Sequence, residues 1–226
     1  MGIKQNIEEI ESAIPREVTL LAVSKTKPLE ELEEAYREGM RDFGENKVQE
    51  LVKKAETFHE DVRWHFIGQL QSNKVKYLVD KVYLIHSLAS ISLLNEIEKI
   101  FGKANKKANT LIQINIGREA SKSGILEESL YEFIEAIEKC NYVTVKGIMV
   151  IIPNGNEESN RNYFKKIKRI FEELKMKKYK NINMDILSMG MTHDFMTAIE
   201  EGSNLVRIGT GIFGERNYNT GGRENE

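Results

Sequence analysis

Lys25 is the first residue of this chain whose position suggests chemistry. It closes the segment 18–25 (VTLLAVSK), in which an apolar, strand-like run stops abruptly at a cation. The ordinary interpretation is a solvated lysine at a strand end, as most lysines are. A lysine held at the mouth of an apolar scaffold can also form an imine with an aldehyde through its amine.

Two glycine-containing segments near the other end of the chain are suited to a phosphate. They are 187–192 (LSMGMT) and 206–211 (VRIGTG). Hydroxyl groups and backbone N–H groups at helix starts hold phosphates, and both kinds of donor are available at Ser188, Gly190, Thr192, Gly209 and Thr210. Each segment alone could be a cap or a tight turn, with Thr192 as the N-cap and Asp194 in the first helical turn. Together with an imine-forming lysine, they indicate a ligand that carries both an aldehyde and a phosphate, which describes pyridoxal 5′-phosphate (PLP).

Arg207 follows two apolar residues inside a predicted strand, so its side chain should lie where water is scarce. A buried arginine usually has a carboxylate partner, and a structural ion pair is the ordinary interpretation. Opposite the pyridine nitrogen of PLP it would have a different consequence. An arginine does not give up its proton, so the ring nitrogen would stay unprotonated and the cofactor would be a poor electron sink.

Other reactive side chains rank lower. His65 is expected to be a packed strand histidine, and the remaining histidines show no metal-ligand spacing with each other or with Cys140. Cys140 is expected to be a small core residue. Lys122 lies in the loop 121–124 (SKSG), which is predicted to be mobile and could reach the mouth of the site. A plain exposed loop is the alternative there.

Strand-like and helix-like segments alternate along the chain. Short apolar segments predict eight strands, at 18–25, 41–46, 63–68, 82–87, 110–116, 143–151, 185–190 and 205–213. Segments of 3.6-residue period predict helices at 3–14, 30–39, 47–58, 73–79, 91–104, 127–140, 157–176 and 194–201. This count is typical of an α/β fold, the (β/α)₈ TIM barrel. A doubly wound sheet has an early glycine-rich turn, which is absent after the first strand.

Composition sets the class of protein. The chain has 226 residues, of which 40% are hydrophobic, and a formal net charge of -2. We expect one soluble domain, with a PLP-binding barrel over 1–216 and a disordered tail over 217–226. The near-neutral charge argues against nucleic acid. The single cysteine favours the cytoplasm, and the lack of a run of about 20 apolar residues argues against a membrane span.

Six segments resemble the YggS/PROSC family of PLP homeostasis proteins. The resemblance extends over nearly the whole chain, and the segments that carry it are 22–28 (AVSKTKP), 43–50 (FGENKVQE), 64–74 (WHFIGQLQSNK), 121–124 (SKSG), 187–191 (LSMGM) and 206–214 (VRIGTGIFG).

The resemblance implies a fold and a set of site residues. The fold is the alanine racemase-like barrel, with PLP held as a Schiff base on Lys25. The resemblance assigns the ring nitrogen to Arg207 and places Asn46 near the cofactor. It assigns the phosphate to Ser188, Met189, Gly190, Thr192, Gly209 and Thr210. Thr192 departs from the family, which commonly has serine there, but the hydroxyl is kept.

Two functions follow from these observations. The first is a non-catalytic carrier that holds PLP and delivers it to apo PLP-dependent enzymes, with Lys122 as a possible second accepting lysine. The alternative is a PLP-dependent amino-acid racemase. A racemase needs bases on both faces of the cofactor, and neither Cys140 nor Tyr218 is an obvious second base. The chain also stops soon after Phe213, which leaves no room for the additional domain of the racemases. We therefore expect a monomeric cytoplasmic carrier that acts in PLP (vitamin B6) homeostasis.

Overall fold

Eight parallel strands close into a barrel in the computed structural model, which describes residues 2–215. The strands are β1 Thr19–Val23, β2 Asp42–Glu45, β3 Arg63–Phe66, β4 Leu84–Leu88, β5 Ala108–Ile114, β6 Val143–Val150, β7 Ile182–Ser188 and β8 Leu205–Ile208. Each strand pairs with the next one in the sequence, and β8 pairs with β1 in a register that sets Leu21 beside Arg207. The predicted barrel is confirmed. The predicted disordered tail, 217–226, lies outside the described residues.

Helices cover the outside of this barrel. They are α1 Ile3–Ala13, α2 Leu29–Arg37, α3 Val48–Thr57, α4 Ile91–Lys103, α5 Leu130–Glu138, α6 Glu157–Lys175, α7 Phe195–Glu200 and α8 Thr210–Phe213. Two 3₁₀ segments add to them, at Ser72–Tyr77 and Glu127–Ser129. The first replaces the α-helix predicted at 73–79, and the second precedes α5 inside the helix predicted at 127–140. No helix within residues 2–215 is both long and apolar enough to cross a membrane.

Most of the hydrophobic core lies between the strands and the helices. The side chains that alternate outward from the strands pack there against the apolar faces of the helices, as in other parallel sheets with both faces covered. A small cluster fills part of the barrel interior, made of Leu84, Leu111 and Met149. Another part of the interior is polar, because His86 on β4 contacts Ser188 on the non-adjacent strand β7.

The last strand is shorter than predicted. The sequence predicts a strand over 205–213, but β8 ends at Ile208 and residues 210–213 form α8. The Gly209 carbonyl accepts hydrogen bonds from the N–H groups of Ile212 and Phe213, at 3.0 and 2.9 Å. Ile212 and Phe213 therefore continue the hydrophobic run of β8 in the sequence, but in the structure they are buried residues of the helix α8. Periodicity does not separate these two cases in so short a segment.

Candidate functional site

A cavity of about 280 Å³ opens at the carboxyl ends of the strands, where barrel enzymes place their sites. It brings together residues from both ends of the chain. Its lining consists of Val23, Lys25, Lys27, Asn46, Ile67, Ile151, Met191, Thr192, His193, Arg207, Gly209, Thr210 and Gly214. Of the residues predicted for the site, Lys25, Asn46, Thr192, Arg207, Gly209 and Thr210 are on this wall.

Lys25 is half-buried in a tight turn that follows β1. The turn is closed by a hydrogen bond from the Lys27 N–H to the Ser24 carbonyl, at 3.0 Å. Thr26 has a left-handed backbone, with φ 64°, and its N–H donates to Glu50 Oε1 at 2.6 Å. The backbone of the turn thus has hydrogen bonds on both sides of Lys25, and the Lys25 side chain lines the cavity.

A buried ion pair lies directly under this turn. Glu45 Oε1 accepts from Ser24 Oγ at 2.6 Å and from Lys54 Nζ at 2.7 Å, and the Lys54 ammonium also donates to Glu50 and to the Ser24 carbonyl. Burial raises the pKa of Glu45 despite the opposing effect of Lys54. The Glu45 Oε2 atom is buried without a hydrogen-bond partner among residues 2–215. Lys54 therefore anchors α3 to the base of the Lys25 turn.

The two glycine-containing segments meet at the far wall of the cavity. The Gly211 N–H donates to Thr192 Oγ1 at 3.4 Å, which joins the loop after β7 to the start of α8. The predicted N-cap role of Thr192 is wrong. α7 begins after Asp194, whose Oδ1 accepts from the Met191 N–H at 2.6 Å. The Asp194 carboxylate thus holds the loop 191–194 together, and the Thr192 side chain forms part of the cavity wall.

Arg207 reaches the cavity from inside the barrel and is buried, 4% exposed. Its Nη1 donates to the Ser188 carbonyl at 2.9 Å and to Ser188 Oγ at 2.7 Å, and its Nη2 donates to the Val150 carbonyl at 2.8 Å. Among the described residues it forms no ion pair, so the expected carboxylate partner is absent from its immediate contacts. Burial lowers the pKa of Arg207 to about 10, with Asp194 acting in the opposite direction. The guanidinium is still charged at neutral pH.

Ser188, Met189 and Gly190 lie behind the cavity. Ser188 and Met189 are fully buried, and the Ser188 hydroxyl is directed at Arg207 and His86. Gly190 has φ +94°, and a Cβ there would lie 2.7 Å from the Ala198 Cβ. The glycine thus allows α7 to approach β7 closely, and these three residues support the wall that Thr192 forms.

Asn46 lines the cavity next to Lys25. Its Oδ1 is buried and accepts no hydrogen bond from the described residues. A Cβ on Gly68 would lie 2.1 Å from the Asn46 carbonyl oxygen, so only glycine lets the loop after β3 approach Asn46 this closely. A buried oxygen without a partner is costly, and at the wall of a cavity a bound ligand can supply the missing donor.

Lys122 is exposed and is not part of the cavity wall. Its loop follows β5, so it lies at the same end of the barrel. The loop, predicted to be mobile, is tied down by Asn115 Nδ2, which donates to the carbonyls of Glu119 and Lys122 at 2.9 and 3.2 Å. Ser123 is held by Gln113 Nε2 at 3.0 Å.

Several lining residues were missed from the sequence. Lys27 donates to the Phe213 carbonyl at 2.8 Å and pairs with Glu31 at 3.0 Å. Its spacing of two from Lys25 was the available signal. Met191 and His193 flank Thr192, and neither residue type alone indicates a ligand site. Cys140 is buried in the core near the end of α5, as predicted.

The arrangement fits an anionic ligand with an aldehyde. An amine, a buried permanent cation and a wall of hydroxyl and backbone N–H groups face one cavity, at Lys25, Arg207, Thr192, Gly209 and Thr210. The open Oδ1 of Asn46 offers an acceptor beside the amine. These groups match the three parts of PLP that need partners, which are its aldehyde, its ring nitrogen and its phosphate.

Comparisons with known sequences identify the family to which the chain belongs. Residues 2–217 match the family described as alanine racemase, N-terminal domain. The chain is 48% identical over 201 residues to the pyridoxal phosphate homeostasis protein of Aquifex aeolicus, which covers 88% of this chain and 87% of that protein. It is 40% identical over 234 residues to the protein of the same name in Haemophilus influenzae, with 97% and 98% covered.

Solved structures share the barrel. PipY of Synechococcus elongatus, in a structure with PLP bound, superposes with a TM-score of 0.86 at 31% identity, over 94% of this chain and 100% of PipY. Alanine racemase of Clostridium difficile superposes with a TM-score of 0.76 at 15% identity, over 96% of this chain and 57% of the racemase. The second likeness is one of fold alone.

Proposed function

The chain belongs to the pyridoxal phosphate homeostasis proteins of the alanine racemase N-terminal domain family, and from this premise we propose that it holds PLP as a Schiff base on Lys25. It acts in PLP homeostasis and delivery rather than in catalytic turnover. The observation that carries the proposal is the shared cavity. Lys25, Asn46 and Arg207, which are far apart in the sequence, line this one cavity together with Thr210.

Each lining residue has a task in this proposal. PLP supplies an aldehyde, which condenses with a primary amine to a C=N bond with release of water. Lys25 provides that amine from its fixed turn. The hydroxyl groups of Thr192 and Thr210 and the backbone N–H of Gly209 donate hydrogen bonds to the phosphate. Asn46 accepts a hydrogen bond beside Lys25. Ser188, Met189 and Gly190, all three predicted from the sequence as phosphate ligands, instead hold the wall and Arg207 in place.

Arg207 favours a carrier over a racemase. Its guanidinium keeps a positive charge in the buried wall of the cavity, and a cation beside the ring nitrogen opposes protonation of that nitrogen. An unprotonated ring stabilises a carbanion poorly, which removes the chief advantage of the cofactor in racemisation. Transfer to apo PLP-dependent enzymes, the role of Lys122 in it, the monomeric state and the cytoplasmic location stay predictions.

The test is the chemical identification of the lysine. Purified protein loaded with PLP and then reduced with borohydride should carry the cofactor mass on the peptide that contains Lys25. Lys25→Ala should lose the visible absorption of the bound cofactor, whereas Lys53→Ala, an exposed lysine of α3, should keep it. Recovery of the label on Lys27 in the unmodified protein would contradict the assignment.

A further inference from the structure

A line of polar side chains crosses the barrel interior and ends at Arg207. Arg207 Nη1 lies 2.7 Å from Ser188 Oγ, and Ser188 Oγ lies 3.3 Å from His86 Nδ1. His86 Nε2 then lies 2.9 Å from His65 Nδ1, and His65 Nε2 lies 2.9 Å from Asp42 Oδ1. All five side chains are buried, with at most 7% exposed. Five different strands thus contribute one residue each to a continuous chain of contacts.

The ends of this line fix the direction of every hydrogen bond in it. A guanidinium only donates, so the Ser188 oxygen accepts from Arg207 and its own proton is free to go to His86 Nδ1. A neutral imidazole with an acceptor at Nδ1 carries its proton on Nε2, and His86 therefore donates to His65 Nδ1. The same rule makes His65 donate from Nε2 to the Asp42 carboxylate, which only accepts. Each of the four contacts in the line therefore joins one donor to one acceptor.

The charges agree with this direction. Both histidines must be neutral for it, and burial lowers the pKa of His65 and that of His86. The positive end is Arg207, which forms no ion pair among the described residues. The negative end is Asp42, which also accepts two hydrogen bonds from Arg63, at 2.7 and 2.5 Å. Dipoles that all point the same way between a cation and an anion stabilise both charges and polarise one another.

The two ends lie on opposite faces of the barrel. Arg207 faces the cavity at the carboxyl ends of the strands, whereas Asp42 is the first residue of β2. Asp42 and Arg63 line a separate cleft of about 510 Å³ at the amino-terminal face. An apolar filling of the interior is available to this fold, as the cluster around Leu111 shows. Burying a line of polar side chains costs free energy unless each one forms hydrogen bonds. Because every side chain in this line does so, we infer that the line has a role besides packing.

We propose that Ser188, His86, His65 and Asp42 are positioning residues, which form a one-directional hydrogen-bond relay that fixes the Arg207 guanidinium at the wall of the cavity. The relay itself is a property of the protein without ligand. Its effect on PLP, through the contact of Arg207 with the ring nitrogen, rests on the proposed function.

The relay is tested first in the protein without PLP. Long-range ¹H–¹⁵N correlation spectra of ¹⁵N-histidine protein resolve the four histidines, with His→Gln variants for assignment. His65 and His86 should both be neutral at pH 7, with the proton on Nε2. The exposed His193 is the internal control, which should exchange between tautomers. An imidazolium, or a proton on Nδ1, at either buried histidine overturns the relay.

The second measurement breaks the relay at the end that is remote from the cavity. Asp42→Asn removes the anion while keeping the shape of the side chain. The affinity for PLP should fall about three- to tenfold, and the absorption maximum of the bound cofactor should shift. Asp61→Asn is the matched control, since Asp61 is exposed and pairs with Arg41 at 2.7 Å at the same end of the barrel. An unchanged affinity and spectrum in folded Asp42→Asn protein overturns the positioning role.

The two measurements separate the proposals. If the unmodified protein does not bind PLP, the proposed function fails, and the histidine tautomers still decide the relay. If PLP binds on Lys25 but the tautomers are wrong, only the relay fails.

Discussion

Asp42 and Glu45 are the first and last residues of the same strand, β2, and both are buried carboxylates. Their pKa values are displaced in opposite directions. For Asp42, burial would raise the pKa, but the hydrogen bonds from Arg63 and His65 outweigh it and hold the value at about 2. For Glu45, burial dominates over Lys54 and raises the pKa to about 7.

The difference lies in how many donors each carboxylate receives. Both oxygens of Asp42 accept hydrogen bonds, whereas only Oε1 of Glu45 does so and Oε2 has no partner in the described part of the chain. Lys54 is also shared with Glu50, whose charge acts against ionisation of Glu45. A single shared cation does not offset desolvation, and a complete set of donors does. Asp42, at the relay end of β2, thus stays ionised over a wide pH range. Glu45, at the Lys25 end, takes up a proton much more readily.

The largest effect is expected from removal of the cation at the Lys25 end. Lys54→Met leaves Glu45 buried without its ion-pair partner, so the free energy of unfolding should fall by about 3–5 kcal/mol at pH 8. The loss should be smaller at pH 5, where Glu45 is protonated. Urea unfolding at both pH values measures this, with the exposed Lys53→Met as control. An equal loss at both pH values would mean that packing, not charge, is responsible.

Glu45→Gln tests the same end from the acidic side. Because the folded-state pKa of Glu45 is raised from 4.5 to about 7, the folded protein holds this proton more tightly than the unfolded chain. Its contribution to stability is therefore complete below pH 4.5 and is lost as the pH rises to 7, by about 3 kcal/mol. In Glu45→Gln this decline should vanish from a urea-unfolding series over that range. A series that keeps the decline would assign it to another group.

Asp42→Asn tests the opposite pH dependence of stability and is expected to have the smallest effect of the three substitutions. The folded-state pKa of Asp42 is lowered from 3.8 to about 2, so its contribution is present above pH 3.8 and is lost as the pH falls to 2. That acid limb should flatten in the variant by about 2 kcal/mol. Acid unfolding followed by circular dichroism measures it. The exposed Asp185→Asn should leave the limb unchanged.

The fold was open to prediction from the sequence because the strands are apolar and evenly spaced. Errors fell where one run of apolar residues contains two kinds of structure. Ile212 and Phe213 continue the pattern of β8, and only the hydrogen bonds to the Gly209 carbonyl show that a helix has begun.

The residues that line the cavity of the candidate site were partly predictable, whereas the contacts behind its wall were not. Lys25, Thr192 and Thr210 come shortly after strands, and the carboxyl ends of the strands meet at one end of a barrel. Arg207 lies within the short strand β8, close to that end. Ser188 was expected there too, but strand residues alternate between the two faces, and its hydroxyl enters the barrel interior. The partnership of His65 with His86 has no local signal, since it depends on which strands become neighbours.

The pairing of β8 with β1 determines when the site can form during protein synthesis. Lys25 leaves the ribosome early, and the strands from β1 onwards can pair as they emerge, each with the strand before it. Arg207, Gly209 and Thr210 emerge last, and they reach Lys25 only when β8 closes the barrel. In a nascent chain, the amine proposed to hold PLP is therefore present before the groups proposed to bind the rest of that ligand. Such long-range closure is slow compared with local pairing, and a ligand that binds only the closed barrel adds its binding energy to that final step.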